Sequence, residues 1–566
     1  MCSYLPAVVD ASRAAEFPVT GTPAGTVVVR ASGLRVHGGT VTVAGNAPPA
    51  GELAVFCRPV VTAPAAVRRD GTVLADGWLP DLVRLGELER HLGDGVIEAA
   101  VDTALAEGRL KPRQRRRLMS YPLVIRLMIA MTLMPGASYC EALRRVAGLL
   151  ADIPFTREWH VPTEKVVTDW RLPVPPDVME GIFWQAAGPL IGDGEPSAVL
   201  LAGMMVLAAD GMLVNLADTP ANRAFFGCTG TAAEDGEGAA PFPQLKIVAL
   251  AGRAGRAMLG AVTGQARAGE QTLLKRLVKR RPDLFAGRVT CFDRNFPGHD
   301  LITAILDAGG HVIARVKEGI SLDFADSDDR GWLPDGSRMS WLNAPSGKEG
   351  DRLPVRVAEH NALMPRGDGK EEVSETCTVI TTLLDHEAAP AEAVREAYLT
   401  RWSASETTFG EDKTTIAGAG NRTSGPVLRS GCPRLVIQEA WAWLTATQLT
   451  RASAAAALRG EAAQARALRR KDSALVTADE ESFTAVRRHM IRSMTSSQVT
   501  AASSLDAIAA AADAAARAAL HTLNLPRRQR HSTRAQKARP KFPHATATKT
   551  TVTGKPQVTV FAPGFY

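Results

Sequence analysis

The chain has 566 residues, 45% of them hydrophobic and 22% charged, with 66 Lys and Arg against 59 Asp and Glu and a formal net charge of +7. That length is more than one hydrophobic core sustains, so three or four domains are expected, and the composition excludes a disordered or fibrous chain. The mild basic excess permits an anionic partner without requiring one.

Seven cysteines, Cys2, Cys57, Cys140, Cys228, Cys291, Cys377 and Cys432, are scattered singly with no C-x-x-C pair. Neither a zinc site nor a disulfide framework is expected. No basic segment followed by an apolar run opens the sequence, so no signal peptide is read. The apolar stretches 199–209 and 123–134 are shorter than a membrane span, and Arg126 interrupts the second. A cytoplasmic protein without a membrane partner is the expectation.

Residues 1–80 are rich in Gly, Pro, Val and Ala, with short strands predicted at 26–30 and 40–43 and no evident chemistry. From 81 to about 150 the pattern turns helical: Leu82, Leu85, Leu88 and Leu92 keep helical spacing, as do Val96, Ala100 and Val101. Within it, Arg109, Lys111, Arg113, Arg115, Arg116 and Arg117 form a basic run between amphipathic segments. Such a run is either a solvated loop or a contact to a DNA backbone.

Pro173, Pro175 and Pro176 mark a linker. The run 198–209 is then apolar and ends in Asp210, followed by Gly211 and the β-prone run 212–216; a strand, a glycine turn and a second strand are predicted. A carboxylate closing a buried apolar run is costly unless it binds something. A polar loop, Asp218-Thr219-Pro220-Ala221-Asn222-Arg223, comes next. Residues 245–250 and 258–263 read as a strand pair about a glycine turn, and 273–278 as a helix, strongly basic through Lys275, Arg276, Lys279, Arg280 and Arg281. Residues 289–292 repeat the earlier device, a β-prone run ending in Asp293, with Arg294 beside it. A helix at 301–308 and a strand at 311–316 follow, the latter ending near Arg315 and Lys317, which gives the alternation of a mixed sheet.

Residues 318–390 contain turns at Pro334-Asp335-Gly336 and Gly367-Asp368-Gly369, β-like runs at 353–358 and 377–383, and two tryptophans, Trp332 and Trp341. The run 391–413 reads as a helix carrying Tyr398, Arg401, Glu406 and Lys413. A carboxylate, two cations and a phenol suit a site that holds a metal beside phosphates; an ordinary solvated helix face has the same content. A helix at 435–449, two Ala-rich helices at 454–464 and 505–520, and a basic tail from Arg527 to Lys541 complete the chain.

Asp210 and Asp293 on neighbouring strands and Glu406 on a packed helix can converge on one point. Three hard oxygen ligands there leave open positions on Mg²⁺ for water and phosphate, with Mn²⁺ as the alternative ion.

The order Asp210-Gly211, then Asp218-Thr219-Pro220-x-Asn222-Arg223, then Phe292-Asp293-Arg294-x-Phe296, then the Tyr398, Arg401, Glu406, Lys413 helix, resembles the DDE transposases of the insertion-sequence-four family, over roughly residues 81–450. The gaps of 83 and 113 positions between the acids suit a ribonuclease H-like core with a β insertion. The resemblance implies an α/β protein: a ribonuclease H-like mixed sheet with a β-rich insertion, preceded by a helical N-terminal domain and followed by helices and a basic tail. The expected divisions are an extension over 1–80, a helical DNA-binding domain over 81–175, the catalytic core over 195–317 and 391–450, the β insertion over 318–390, and Ala-rich helices with the tail over 451–566.

By the same resemblance, Asp210, Asp293 and Glu406 are the catalytic metal ligands, and Tyr398, Arg401 and Lys413 contact the terminal phosphates. Arg223, Arg294, Arg115 and Arg116 are further DNA-binding candidates. The implied activity is Mg²⁺-dependent cleavage at terminal inverted repeats, then joining of the 3′-hydroxyl ends to target DNA. The implied partners are double-stranded DNA and a second copy of the chain, a homodimer pairing two ends at the nucleoid. Some family members stack a flipped base on a tryptophan of the insertion, a role open to Trp332 or Trp341, for which core packing is the competing reading. Two rivals remain: a ribonuclease H-like nuclease that cuts without joining, and an inactive or domesticated DNA-binding derivative.

One departure stands out. Four residues, Trp402, Ser403, Ala404 and Ser405, separate Arg401 from Glu406 where the family usually has three. At roughly 100° per residue, Arg401 and Glu406 would diverge by about 140° on a regular helix. A π-bulge between 401 and 406 absorbs the extra residue and is the expectation. The alternative is a break, with Glu406 closing a Ser-x-x-Glu capping box and Glu411 as the third acid.

Overall fold

The structure is a computed structural model. It describes residues 85–147 (less 86, 94 and 113–118), 161–187, 200–229, 242–316 (less 253–256), 322–324, 331–344, 352–365, 371–401, 427–459, 480 and 482–495, with short strands at 17–18, 26–27, 34–37, 40–43, 57–58 and 557–560. The chain forms two compact units, Met1–Leu82 and Val83–Tyr566.

In the first unit, β1 (Phe17–Pro18), β3 (Leu34–His37) and β4 (Thr40–Val43) make an antiparallel sheet in the order β1-β4-β3, and β2 (Thr26–Val27) pairs with β5 (Cys57–Arg58). The strands expected at 26–30 and 40–43 are present, the first shorter than expected.

The second unit opens with six helices: α1 (Glu87–Leu92), α2 (Val96–Ala106), α3 (Tyr121–Leu133), α4 (Tyr139–Ala147), α5 (Glu164–Arg171) and α6 (Pro176–Ala187). Its sheet begins with β6 (Leu200–Leu201) and β7 (Met204–Leu216), then α7 (Pro220–Phe226), β8 (Gln244–Gly252), β9 (Met258–Gln265), α8 (Glu270–Arg280), β10 (Arg288–Phe292), α9 (His299–Asp307) and β11 (His311–Arg315). The insertion supplies β12 (Leu322–Phe324), β13 (Arg338–Asn343), β14 (Arg352–Pro365) and β15 (Glu371–Thr381). After it come α10 (Ala391–Arg401), β16 (Val427–Leu428), α11 (Pro433–Arg459), α12 (Phe483–Thr495) and β17 (Gln557–Val560).

The helical part forms around α3. Ser120 starts this helix by accepting a hydrogen bond from the Leu123 amide, with a proline in the first turn. Its sequence is apolar almost throughout, and it is buried on nearly all sides by α2, α4, α5, α11 and α12. The Arg126 that interrupts the apolar run is fully buried and binds Glu89 and, at 2.7 Å, Glu98. Burial opposes its charge; the two carboxylates outweigh that and hold the guanidinium above its ordinary range. The long α11 packs on α1, α3, α6 and α12 and so joins residues after α10 to the helices that open the second unit.

The sheet runs β12-β13-β14-β15-β11-β10-β7-β8-β9. β7, β8 and β9 form an antiparallel meander; β10 and β11 lie parallel to β7 on its other side. This is a mixed open sheet, as the sequence led one to expect. β15 pairs antiparallel with β11, so the insertion extends the core sheet rather than forming a separate one. β17 adds to the distal half of β14, a strand that the sequence did not signal.

The turn expected at Gly211 is not there. β7 runs unbroken through it, with Gly211 paired to Val248. The chain reverses earlier, at Ala202 and Gly203, both with positive φ, as a two-residue hairpin needs.

Helices cover both sheet faces. On one, Leu273, Leu274 and Leu277 of α8 and Ile302 and Ile305 of α9 pack on Leu207, Ala209, Phe292 and Ala314. On the other, Val394, Ala397 and Tyr398 of α10 pack on Val206, Cys291, Ile313 and Val379. Successive strand residues alternate between these faces, which fixes where the acids point.

Candidate active site

The sheet register brings Asp210 and Asp293 together. β10 pairs in parallel with β7 through Cys291 and Ala208. Two residues further along stand Asp210, within β7, and Asp293, one residue past the end of β10, at the same end of the two neighbouring strands. Val206 and Cys291 pack against α10, so by the period of two Asp210 belongs to that face.

Each carboxylate is partly engaged with its own backbone. Asp210 Oδ1 accepts from the Gly211 amide at 2.8 Å. Asp293, one residue past the end of β10, accepts from the Asn295 amide at 2.8 Å and from Asn295 Nδ2 at 3.2 Å. Both carboxylates are hard oxygen donors at the same end of the sheet. Arg294 beside them is exposed.

α10 carries two of the expected site residues, Tyr398 and Arg401. Its last residue, Arg401, is buried, with Nη1 3.9 Å from Asp210 Oδ2 and its guanidinium 5.7 Å from the Tyr398 ring centroid. Beneath it the Cys291 thiol lies 3.8 Å from the Ala397 carbonyl oxygen, and burial pushes its pKa up to about 12 against the pull of Arg401. That thiol is an inert packing group.

Glu406, Glu411 and Lys413 fall in 402–426, outside the described residues, as does the bulge expected between 401 and 406. Arg115 and Arg116 and the basic tail also lie outside them. Among the described residues no group of three or more His, Cys, Asp or Glu gathers as for a metal ion. The donor chemistry of Asp210 and Asp293 suits a hard divalent ion, and in the sequence Glu406 and Glu411 follow five and ten positions after the end of α10.

The Asp218–Arg223 motif has a structural job. Thr219 caps α7 by accepting from the Asn222 amide at 3.2 Å, with Pro220 in the first turn, so the expected polar loop is a short helix. Thr219 Oγ1 also donates to the Gly431 carbonyl at 2.8 Å. The buried Asn222 donates from Nδ2 to the carbonyls of Ala217, at 2.9 Å, and Ser430, at 3.0 Å. Ser430 is in turn held by Arg171 and Glu439 from the helical part. The motif therefore ties the end of β7 to the chain that leaves 402–426. Arg223 itself is exposed and shares its charge with Asp218, whose pKa that hydrogen bond lowers.

Arg109, at the start of the basic run, is bound to Glu107 and, at 2.6 Å, Asp177. Trp332 lies beneath the Arg338 guanidinium at 5.1 Å. Trp341 is 39% exposed on β13, five strands from β7, about 24 Å at roughly 4.8 Å per strand.

Three residues near the site had no reading as site residues. Arg315 ends β11 one step past the Phe292–Ala314 pairing, at the end of the sheet where Asp293 follows β10. Its place at a strand end was visible; its neighbour was not. Glu270, at the start of α8, occupies the space a Cβ on Gly211 would take. Gln271 donates to the Asn295 carbonyl at 3.2 Å and lies where a Cβ on Gly298 would come within 2.8 Å of its Oε1. One helix turn thus seats against the backbone flanking both aspartates.

No curated protein matches the chain. Among solved structures, a cryo-EM piggyBac transposase synaptic complex with hairpin DNA is similar at 12% identity, over 77% of this chain and 83% of that one, with a TM-score of 0.37. Residues 202–424 match the family model described as the transposase DDE domain, a span that takes in Asp210, Asp293, α10 and Glu406.

Proposed function

We propose that the chain is a DNA transposase of the insertion-sequence-four type. It binds the terminal inverted repeats of an insertion element, cleaves at the ends by phosphodiester hydrolysis and joins the freed 3′-hydroxyls to target DNA. The observation that carries the reading is the placement of Asp210 and Asp293 at the same end of two neighbouring parallel strands, with Arg401 of α10 set against Asp210, within the segment that matches a transposase DDE domain.

Asp210, Asp293 and Glu406 would hold the divalent ion, Mg²⁺ or Mn²⁺. When bound, that ion supplies activation of the attacking oxygen and stabilisation of the leaving oxygen in an in-line displacement at phosphorus. The chain's own part is positioning. The sheet fixes the separation of the two aspartates, and their carboxylates orient the attacking water or 3′-hydroxyl. Arg401, with Tyr398 and Lys413, holds the scissile phosphate by charge-assisted hydrogen bonds. In this reading Arg223, Arg294, Arg115 and Arg116 add backbone contacts, two copies pair two ends, and the work is done on DNA in the cytoplasm.

The test is incubation of the purified protein with a duplex ending in the inverted repeat read from the DNA flanking its gene, with a target plasmid, in Mg²⁺ or in EDTA. Cleavage at the repeat end and covalent joining, both only in Mg²⁺, are expected. Cleavage without joining would make it a nuclease, and binding without cleavage a DNA-binding derivative; either overturns the proposal.

A further inference from the structure

The insertion and the helix carrying Arg401 meet at one buried ion pair. Arg356 on β14 is 1% exposed, and every guanidinium nitrogen is used. Its Nε donates to the Leu383 carbonyl at 3.0 Å, its Nη1 to Asp335 Oδ2 at 2.8 Å and Ser337 Oγ at 3.3 Å, and its Nη2 to the Ala389 carbonyl. Asp335 sits in the turn between Trp332 and β13 and is equally committed. Its Oδ1 accepts from the Ser337 amide at 3.1 Å and hydroxyl at 2.5 Å, and its Oδ2 accepts from the Ala391 amide at 2.8 Å.

Ala391 is the first residue of α10. A helix start leaves amides without intrahelical partners and carries the positive end of the helix dipole. The residue before α10 is Pro390, which has no side-chain acceptor. The anionic cap comes instead from Asp335, 56 positions earlier and on the insertion. Arg356 fastens the same carboxylate to the 383–389 stretch that leads into the helix.

We propose that Asp335 and Arg356 form a positioning clamp, through which the insertion sets the pose of α10 and so holds Arg401 against Asp210. From Ala391 to Arg401 the helix spans about 15 Å at roughly 1.5 Å per residue, so a shift at its start is carried to its far end. The inference rests on the proposed cleavage reaction for its consequence, not for its geometry. It gives the insertion a role in the catalytic core beyond contact with DNA.

The test uses the full chain with Asp335→Ala and, separately, Ala391→Pro. Proline is accommodated in a first helical turn and removes only the amide that Asp335 accepts, leaving the ion pair intact. The first readout needs no activity: hydrogen exchange of α10 peptides, and alkylation of Cys291, which is buried under Ala397 near the far end of the helix. Both are expected to rise at least tenfold in Asp335→Ala and more modestly in Ala391→Pro, with exchange in α3 unchanged. The second is cleavage: kcat falls at least tenfold in Asp335→Ala while the half-saturating DNA concentration stays within twofold. Unchanged α10 exchange and Cys291 protection in both variants would overturn the clamp. Loosened α10 with unchanged kcat would reduce it to a structural contact and overturn the positioning role. A wild-type protein that cleaves no DNA would sink the functional reading, and the exchange and alkylation results would still decide whether the clamp holds α10.

Discussion

Asn222→Ala tests whether the Asp218–Arg223 motif works as a latch. The Asn222 amide is fully buried and bridges the Ala217 and Ser430 carbonyls at 2.9 and 3.0 Å. Its loss leaves two carbonyls short of a donor, at about 1–3 kcal/mol each. Asn222 Oδ1 has no hydrogen-bond partner among the described residues, so its removal returns part of that cost. The net is about 2–4 kcal/mol, or roughly 30- to 700-fold in a local opening equilibrium. The reporter is the Ala217 amide, which donates to the Leu428 carbonyl at 2.9 Å across the β7–β16 junction. Native-state hydrogen exchange at that amide should accelerate by this factor, while β8 and β9 keep wild-type rates. Asn222→Asp should be worse, since it sets a carboxylate against two carbonyl oxygens. Exchange at Ala217 within threefold of wild type would refute the latch.

Arg126→Met should destabilise the helical part by about 3–5 kcal/mol, because Glu89 and Glu98 lose their counterion in a buried setting; thermal unfolding followed by far-UV circular dichroism reads it, and the triple Met variant at 89, 98 and 126 should regain most of the loss. Asp335 gives a signed pH effect. Burial works to raise its pKa, but hydrogen bonds from Ser337 and Ala391 and the charge of Arg356 hold it below the ordinary carboxylate value. The folded value is the lower one, so its contribution is complete above about pH 4 and is lost as pH falls through the folded value. Cys291 protection should therefore persist at pH 5 and decline below about pH 4, and Asp335→Ala should lack that step. Between the rival third acids, Glu406→Gln should abolish cleavage and Glu411→Gln should spare it; the reverse pattern would favour a helix break after Arg401.

The sheet was legible because its strands are short apolar runs bounded by glycine and polar turns, and both aspartates announce themselves by ending such runs. Their placement at one end of neighbouring strands follows from strand order and register, which no local signal states. Gly211 was misread for a physical reason: glycine after an acid is a turn signal. The ladder to β8 overrides it, and the glycine serves instead to admit the Glu270 carboxylate, 59 positions downstream. Thr219-Pro220 is a helix-start signature, yet Ser430, one of the two partners of Asn222, lies 208 positions away. Pro334-Asp335-Gly336 was readable as a turn, whereas the helix its carboxylate caps was not. Local propensity marks where elements begin and end; the polar side chains that join distant elements carry no local signature.

The central claim is that Asp210 and Asp293 serve one reacting centre. Its most direct measurement is Mg²⁺-dependent cleavage of a repeat-end duplex by Asp210→Asn and Asp293→Asn beside binding of the same duplex. Each variant should lose cleavage by at least about a hundredfold, the scale on which catalytic electrostatics act, with affinity for the duplex within about twofold of wild type. Cleavage retained by either variant, or binding lost in step with cleavage, would contradict the account.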